Sequence, residues 1–146
     1  MAAGPYKRPE SVLVVIYTEA GEVLMLERRR PAGYWQSVTG SLKWGETAPA
    51  AAEREVHEET GLETGARLVD CGYTNRFEIL PAWRARYAPD VRTNTEHVFR
   101  ATYPERPSIR INPAEHLRYR WLSRREALDC AGSSTNREAI ARFVTG

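Results

Sequence analysis

Glutamates at positions 55, 58 and 59 stand three and four residues apart beside Arg54, in a window over residues 46–63 that holds six acids and a single base. On an ideal helix, at about 100° per residue, Glu55, Glu58 and Glu59 share the side that also carries Ala48, Ala51 and Ala52, while Ala50, Glu53, Arg54 and His57 take the other. The acids are expected to point where a core should be. Like charges at i,i+3 and i,i+4 cost roughly a few tenths of a kcal/mol each even when exposed, and carboxylates near a helix C-terminus meet an unfavourable dipole. Stability gives no reason for the cluster. A hard divalent cation does, because Mg²⁺ and Mn²⁺ take oxygen ligands and offset the repulsion among the acids. Structural zinc is excluded, since no Cys or His pair lies near and His57 falls on the outer side.

The helix that must carry these acids is clearly punctuated. Thr47 is placed to cap it, Pro49 falls in the first turn where it is tolerated, Ala48, Ala50, Ala51 and Ala52 favour it, and Gly61 stops it. Ahead of it, residues 12–17 and 23–28 read as strands of a hairpin turned at Glu19-Ala20-Gly21-Glu22, and a short segment over 35–39 runs into Gly40. Alternation puts Leu24, Leu26 and Arg28 on one face of the second strand, which carries Arg28 to the core side at the strand's end. Behind the helix, residues 67–73, 77–87 and 96–103 are β-rich, interrupted by Pro81 and Pro89, and a further strand lies near 119–122. Ser123 with Glu126, and Thr135 with Glu138, each fit the S/T-x-x-E capping box, the second opening a helix with an Ile140, Phe143, Val144 stripe. Strands on both sides of one helix, followed by more helix, predict one α/β domain with a mixed sheet over residues 1–146.

At wider spacing the chain reads Gly40-x5-Glu46-x7-Arg54-Glu55-Val56-x-Glu58-Glu59-x-Gly61-Leu62. These nine constrained positions would all match by chance with a probability on the order of 10⁻⁷. The pattern, residues 40–62, resembles the Nudix box, and the chain resembles the Nudix hydrolases, which cleave a nucleoside diphosphate linked to another moiety with divalent metal and water. The resemblance implies a Nudix fold, an α/β/α sandwich with a mixed β-sheet and a loop-helix-loop box. It implies Glu55 and Glu59 as principal ligands of Mg²⁺ or Mn²⁺, Glu58 as a further ligand or a base acting on water, Arg54 and Glu46 as braces, and Gly40 as the turn. Glu115, in an irregular stretch just before the 119–122 strand, is a further candidate as base or metal ligand.

The resemblance continues outside the box, through Tyr6-Lys7-Arg8-Pro9, Arg86-Tyr87-Ala88-Pro89, Asn94-Thr95-Glu96 and Asn136-Arg137, to the bacterial members that hydrolyse dihydroneopterin triphosphate to the monophosphate and pyrophosphate in folate biosynthesis, and that also act on dATP-like nucleotides. It implies a small-molecule triphosphate as substrate. Lys7 and Arg28 would contact phosphate or ring, Thr39 would face the site beside the box glycine, and Ser133 would stand at free helical N–H groups that favour an anion. Phe77, Glu78, Ile79 and Leu80 would wall the pterin, with Glu78 accepting from ring nitrogens; Leu80 departs from the family pattern, where an aromatic is expected. Two other readings stay open: a pyrophosphohydrolase of dNTPs or oxidised purine nucleotides, and a nucleotide-binding module without catalysis.

Composition frames these readings. At 146 residues, 42% apolar and 27% charged, the chain is long enough for one core and argues against disorder and disulfide scaffolds. The net charge of +2 conceals a separation, because −5 in the 46–63 window leaves +7 on the remainder. Of the 21 basic residues only Lys7 and Lys43 are lysines, and guanidinium forks suit phosphate oxygens. No polybasic arm points to nucleic acid, and no apolar run approaches the roughly 20 residues a membrane helix needs. With no secretory signal, a cytoplasmic enzyme is expected, either monomer or homodimer. Cys71 and Cys130 are expected as buried free thiols.

Overall fold

Apolar side chains on both faces of one strand, Glu10–Thr18 (β1), demand cover from both sides, and that demand organises the molecule. The computed structural model describes residues 6–145; residues 1–5 and 146 of the expected domain lie outside the described residues. β1 pairs in parallel with Thr93–Tyr103 (β6) and antiparallel with Val38–Ser41 (β4). Val23–Arg28 (β2) meets β1 at Tyr17↔Val23, then carries Trp35–Gln36 (β3) and His116–Leu122 (β7), while Leu68–Glu78 (β5) closes the far edge against β6. The expected hairpin is thus held at its turn end, and β1 gives its remaining edge to β4.

Ala48–Thr60 (α1) lays Ala51, Ala52 and Val56 on Val12, Val14, Ile16, Leu24, Leu26 and Phe99. The other face is covered by Arg124–Cys130 (α2) and Ser134–Phe143 (α3), whose Ala127, Ala139 and Ile140 meet Leu13, Val15, Tyr17, Met25 and Val98. A mixed sheet between two helical layers is the expected α/β/α sandwich.

Most local signals act at the positions where the sequence carries them. Thr47 Oγ1 accepts from the Ala50 N–H at 3.3 Å, and Gly61, at φ 77°, ends α1 in the left-handed region. The Ser123–Glu126 capping box forms with both of its bonds. Three expectations need correction. The 77–87 stretch leaves the sheet after Glu78, because Pro81 offers no ladder donor and starts a 3₁₀ turn, Pro81–Arg86. The cap of α3 is Ser133, whose Oγ accepts from the Asn136 N–H at 3.1 Å, so Thr135 lies inside the first turn. Cys71 and Cys130 are free but only half-buried. Among the described residues no helix is long and apolar enough to cross a membrane.

Candidate active site

α1 presents its acids unequally. Glu59 is buried at 2% exposure, Glu55 is half-buried, and Glu58 is exposed, so the expected convergence of all three on the core side holds only for the first two. The cause is Arg54, expected in water but half-buried along the helix flank. Its Nε and Nη2 fork onto both Glu46 oxygens at 2.8 Å, Nη2 also donates to the Ser41 carbonyl at 3.1 Å, and Nη1 draws Glu58 outward at 3.0 Å. The fork holds Glu46 well below the usual carboxylate range, at about 2. Gly40 makes no turn: it lies within β4, and a Cβ there would run into the Glu55 carboxyl. The turning glycine of the loop is Gly45, at φ 84°.

Burial pushes the Glu59 carboxyl well up, with Glu55 and Glu115 adding like-charge repulsion and the Thr39 backbone N–H giving partial relief. Burial likewise raises Glu55, helped by Glu58 and opposed by Arg54. Glu59 Oε1 is buried without any hydrogen-bond partner, and the nearest basic group, His116 Nε2, stands 3.9 Å away. His116 is itself held neutral by burial, its pKa lowered to about 4. Among the described residues no three His, Cys, Asp or Glu side chains gather into a ready-made cage. What α1 offers is a largely buried pair of carboxylates, one with an orphaned oxygen, and Glu115 within electrostatic reach. This all-oxygen donor set fits a hard divalent cation of the kind that keeps several waters and takes one or two carboxylates, such as Mg²⁺. Nudix enzymes in general use such ions.

Cations flank the pair. Arg28 shares the α1 face of β2 with Leu24 and Leu26, donates from Nε to the Arg30 carbonyl at 3.0 Å and lies over the Tyr34 ring. Lys7 sits over the Tyr87 ring, and its pKa is lowered by burial and by Arg86, with Arg28 adding to the effect and Glu55 opposing it. Glu115 is exposed in the turn before β7, its carbonyl accepting from the Arg29 N–H at 2.8 Å.

The remaining expected contacts divide between the two faces. Thr39 is the hinge: its backbone meets Glu59, while its side chain, in register with Leu13, turns to the α3 face, and its hydroxyl accepts from Gln36 Nε2 at 3.3 Å. Phe77, 39% exposed, points to the α3 face; alternation turns Glu78 to the other, Ile79 is buried and Leu80 is exposed, so the four do not make one wall. Ser133 spends its hydroxyl on the α3 cap.

On that α3 face the apolar floor gives way to a polar row in which Ser41, Ser11, Glu96 and Asn75 lie side by side across β4, β1, β6 and β5. Glu96 accepts from Asn75 Nδ2 at 3.2 Å and from the Thr135 hydroxyl. Asn94, in register with Phe77, donates to Ser11 Oγ at 2.8 Å, and its buried Oδ1 has no partner. Asn136 clamps Ser37 through two bonds of 2.8 and 2.9 Å and so docks the start of α3 beside β4. Sequence reasoning singled out neither Asn94 nor Glu96 as a site residue; the available signal was an amide and an acid on the same side of a strand as Val98.

The chain is similar to known proteins along nearly its whole length. The NUDIX domain model matches residues 7–143. The chain is 48% identical over 143 residues to dihydroneopterin triphosphate diphosphatase of Escherichia coli, covering 95% of this chain and 94% of that one. It is 40% identical to the Haemophilus influenzae protein of the same name, covering 95% and 89%. The solved structure of the E. coli dihydroneopterin triphosphate pyrophosphohydrolase superposes with a TM-score of 0.86 over 95% of this chain and 97% of that one.

Proposed function

The chain belongs to the NUDIX domain family, and from that premise we propose that it hydrolyses dihydroneopterin triphosphate to dihydroneopterin monophosphate and pyrophosphate with Mg²⁺. The observation that carries the reading is the Glu55 carboxyl pressed against Gly40, with buried Glu59 one helical turn on, in a chain that matches, almost end to end, relatives named for that reaction. Glu55 and Glu59 would hold the ion, with Glu115 as a third oxygen source. A bound divalent cation neutralises phosphate oxygens and lowers the pKa of water.

The chain's own residues do the rest. Arg54 locks the loop to the helix through Glu46 and the Ser41 carbonyl, which keeps Glu55 and Glu59 aimed at one place. Lys7 and Arg28 would receive phosphate oxygens not taken by the ion; two cations beside the acid pair suit a polyanion. Removal of a proton from the attacking water falls to Glu58 or Glu115, both exposed and both close to the pair. Turnover of dihydroneopterin triphosphate, dATP and 8-oxo-dGTP in Mg²⁺, with pyrophosphate as the measured product, tests the reading. Preference for the pterin substrate is expected; preference for either purine nucleotide would overturn it.

A further inference from the structure

We infer that Glu96 is the specificity-determining carboxylate of this site, accepting the adjacent N–H groups of a 2-amino-4-oxopyrimidine ring edge, with Asn94 Oδ1 as a second acceptor. The inference rests on the pterin reading above and names the group that would enforce it.

Glu96 is an acid on a sheet face whose next rung is core. Leu13 and Val98 lie one step along the strands, yet Glu96 is only 6% exposed and, among the described residues, forms no ion pair. Its donors, Asn75 and Thr135, are neutral. A buried carboxylate held by two neutral donors is costly as a structural tie, because an amide or a hydroxyl would make similar bonds without the desolvation of a charge. Burial accordingly raises its pKa, and the two hydrogen bonds offset part of that rise. Beside it, the buried Asn94 Oδ1 has no donor at all. Two acceptors with unspent lone pairs, next to the exposed aromatic Phe77, call for a flat ligand rich in N–H groups.

The position suits the ring end of the substrate. Glu96 lies two strands from Ser41, roughly 10 Å at the usual strand spacing. Ser41 directly follows Gly40, on which Glu55 rests. A triphosphate end at α1 and a ring end at Glu96 would therefore be joined around Thr39. A pterin, like guanine, offers N–H and 2-amino donors side by side, matching a carboxylate; adenine sets one amino group beside an acceptor nitrogen, which the carboxylate repels.

The test compares kcat/KM of wild type and Glu96→Gln on dihydroneopterin triphosphate, dGTP and dATP. The substitution is expected to lower the first two about 10- to 100-fold and dATP by less than about threefold, the discrimination of one bidentate carboxylate-to-base pair. An equal fall on all three marks a structural tie and overturns the inference, as does no change. If the variant fails to fold, the wild-type protein answers alone: dITP, which lacks the 2-amino group, should be turned over at least about tenfold more slowly than dGTP, and equal rates overturn the inference. Wild-type preference for dATP would instead sink the pterin reading itself, whereas a retained pterin preference that Glu96→Gln leaves unmoved would sink only the role of Glu96.

Discussion

Two carboxylates lie buried on opposite faces of one sheet, Glu59 against α1 and Glu96 against α3, and their company differs in kind. Glu59 stands among other acids with one oxygen unpartnered; Glu96 stands among neutral amides and hydroxyls that partly satisfy it. Repulsion among like charges is relieved by a cation, whereas a lone buried carboxylate with donors of its own is completed by N–H groups. One sheet thus offers two polar ends of different chemistry, hinged at Thr39.

The two faces differ most in what the loss of Glu59 would do. Glu59→Gln should lower kcat on every substrate by on the order of 10² to 10³-fold, as for loss of one group that stabilises developing charge. The metal-free variant should fold as well as wild type, since a buried repulsion is gone. Near-normal rates in a steady-state assay would remove the α1 pair from the chemistry.

Mg²⁺ separates the two faces without turnover. At a hundred times its Kd it should stabilise the wild-type fold by about 2.7 kcal/mol, seen as a rise in melting temperature, and should do the same for Glu96→Gln. Glu59→Gln should show little rise. A Glu59 variant that responds like wild type would move the ion elsewhere.

Acid titration sharpens the contrast by sign. Glu46 has its folded pKa depressed to about 2, so its contribution is present above the ordinary carboxylate value and is lost as pH falls toward 2. Glu96 has its folded pKa raised, so what it contributes is greatest below the ordinary value and is lost as pH rises through the raised one. Denaturant midpoints between pH 3 and 7 should therefore lose an acid-side decline in Glu46→Gln and an alkaline-side decline in Glu96→Gln. Parallel curves for the two variants would contradict these environments. The smallest effect is at the α1 cap, where Thr47→Ala should cost about 1 kcal/mol of stability and leave substrate ratios alone.

Much of the α1 face was legible because its information is local. Thr47, Pro49 and Gly61 fix one helix, and the spacing of Glu55 and Glu59 follows from 3.6 residues per turn. Glu58 departs from the ideal helix for a reason that helix cannot contain: Arg54 forks onto Glu46 eight residues back and takes Glu58 with it. The role of Gly40 is invisible along the chain because the side chain that needs its missing Cβ belongs to another element. Thr135 and Glu138 spell a capping box, yet Ser133 caps the helix, where Asn136 and Ser37 dock its first turn against β4.

The sequence by itself determined the Nudix box, the caps of α1 and α2 and the alternation of the strands, all set by neighbours within a few residues. The polar row that joins Ser41, Ser11, Glu96 and Asn75 was decided only by tertiary structure. Its members come from four strands as far apart as residues 11 and 96, and only the register of parallel β1–β6 and antiparallel β4–β1 and β5–β6 ladders lines them up. A shift of one residue in any of these ladders would send its side chains to the opposite face, which is why no reading along the chain assembles that end of the site.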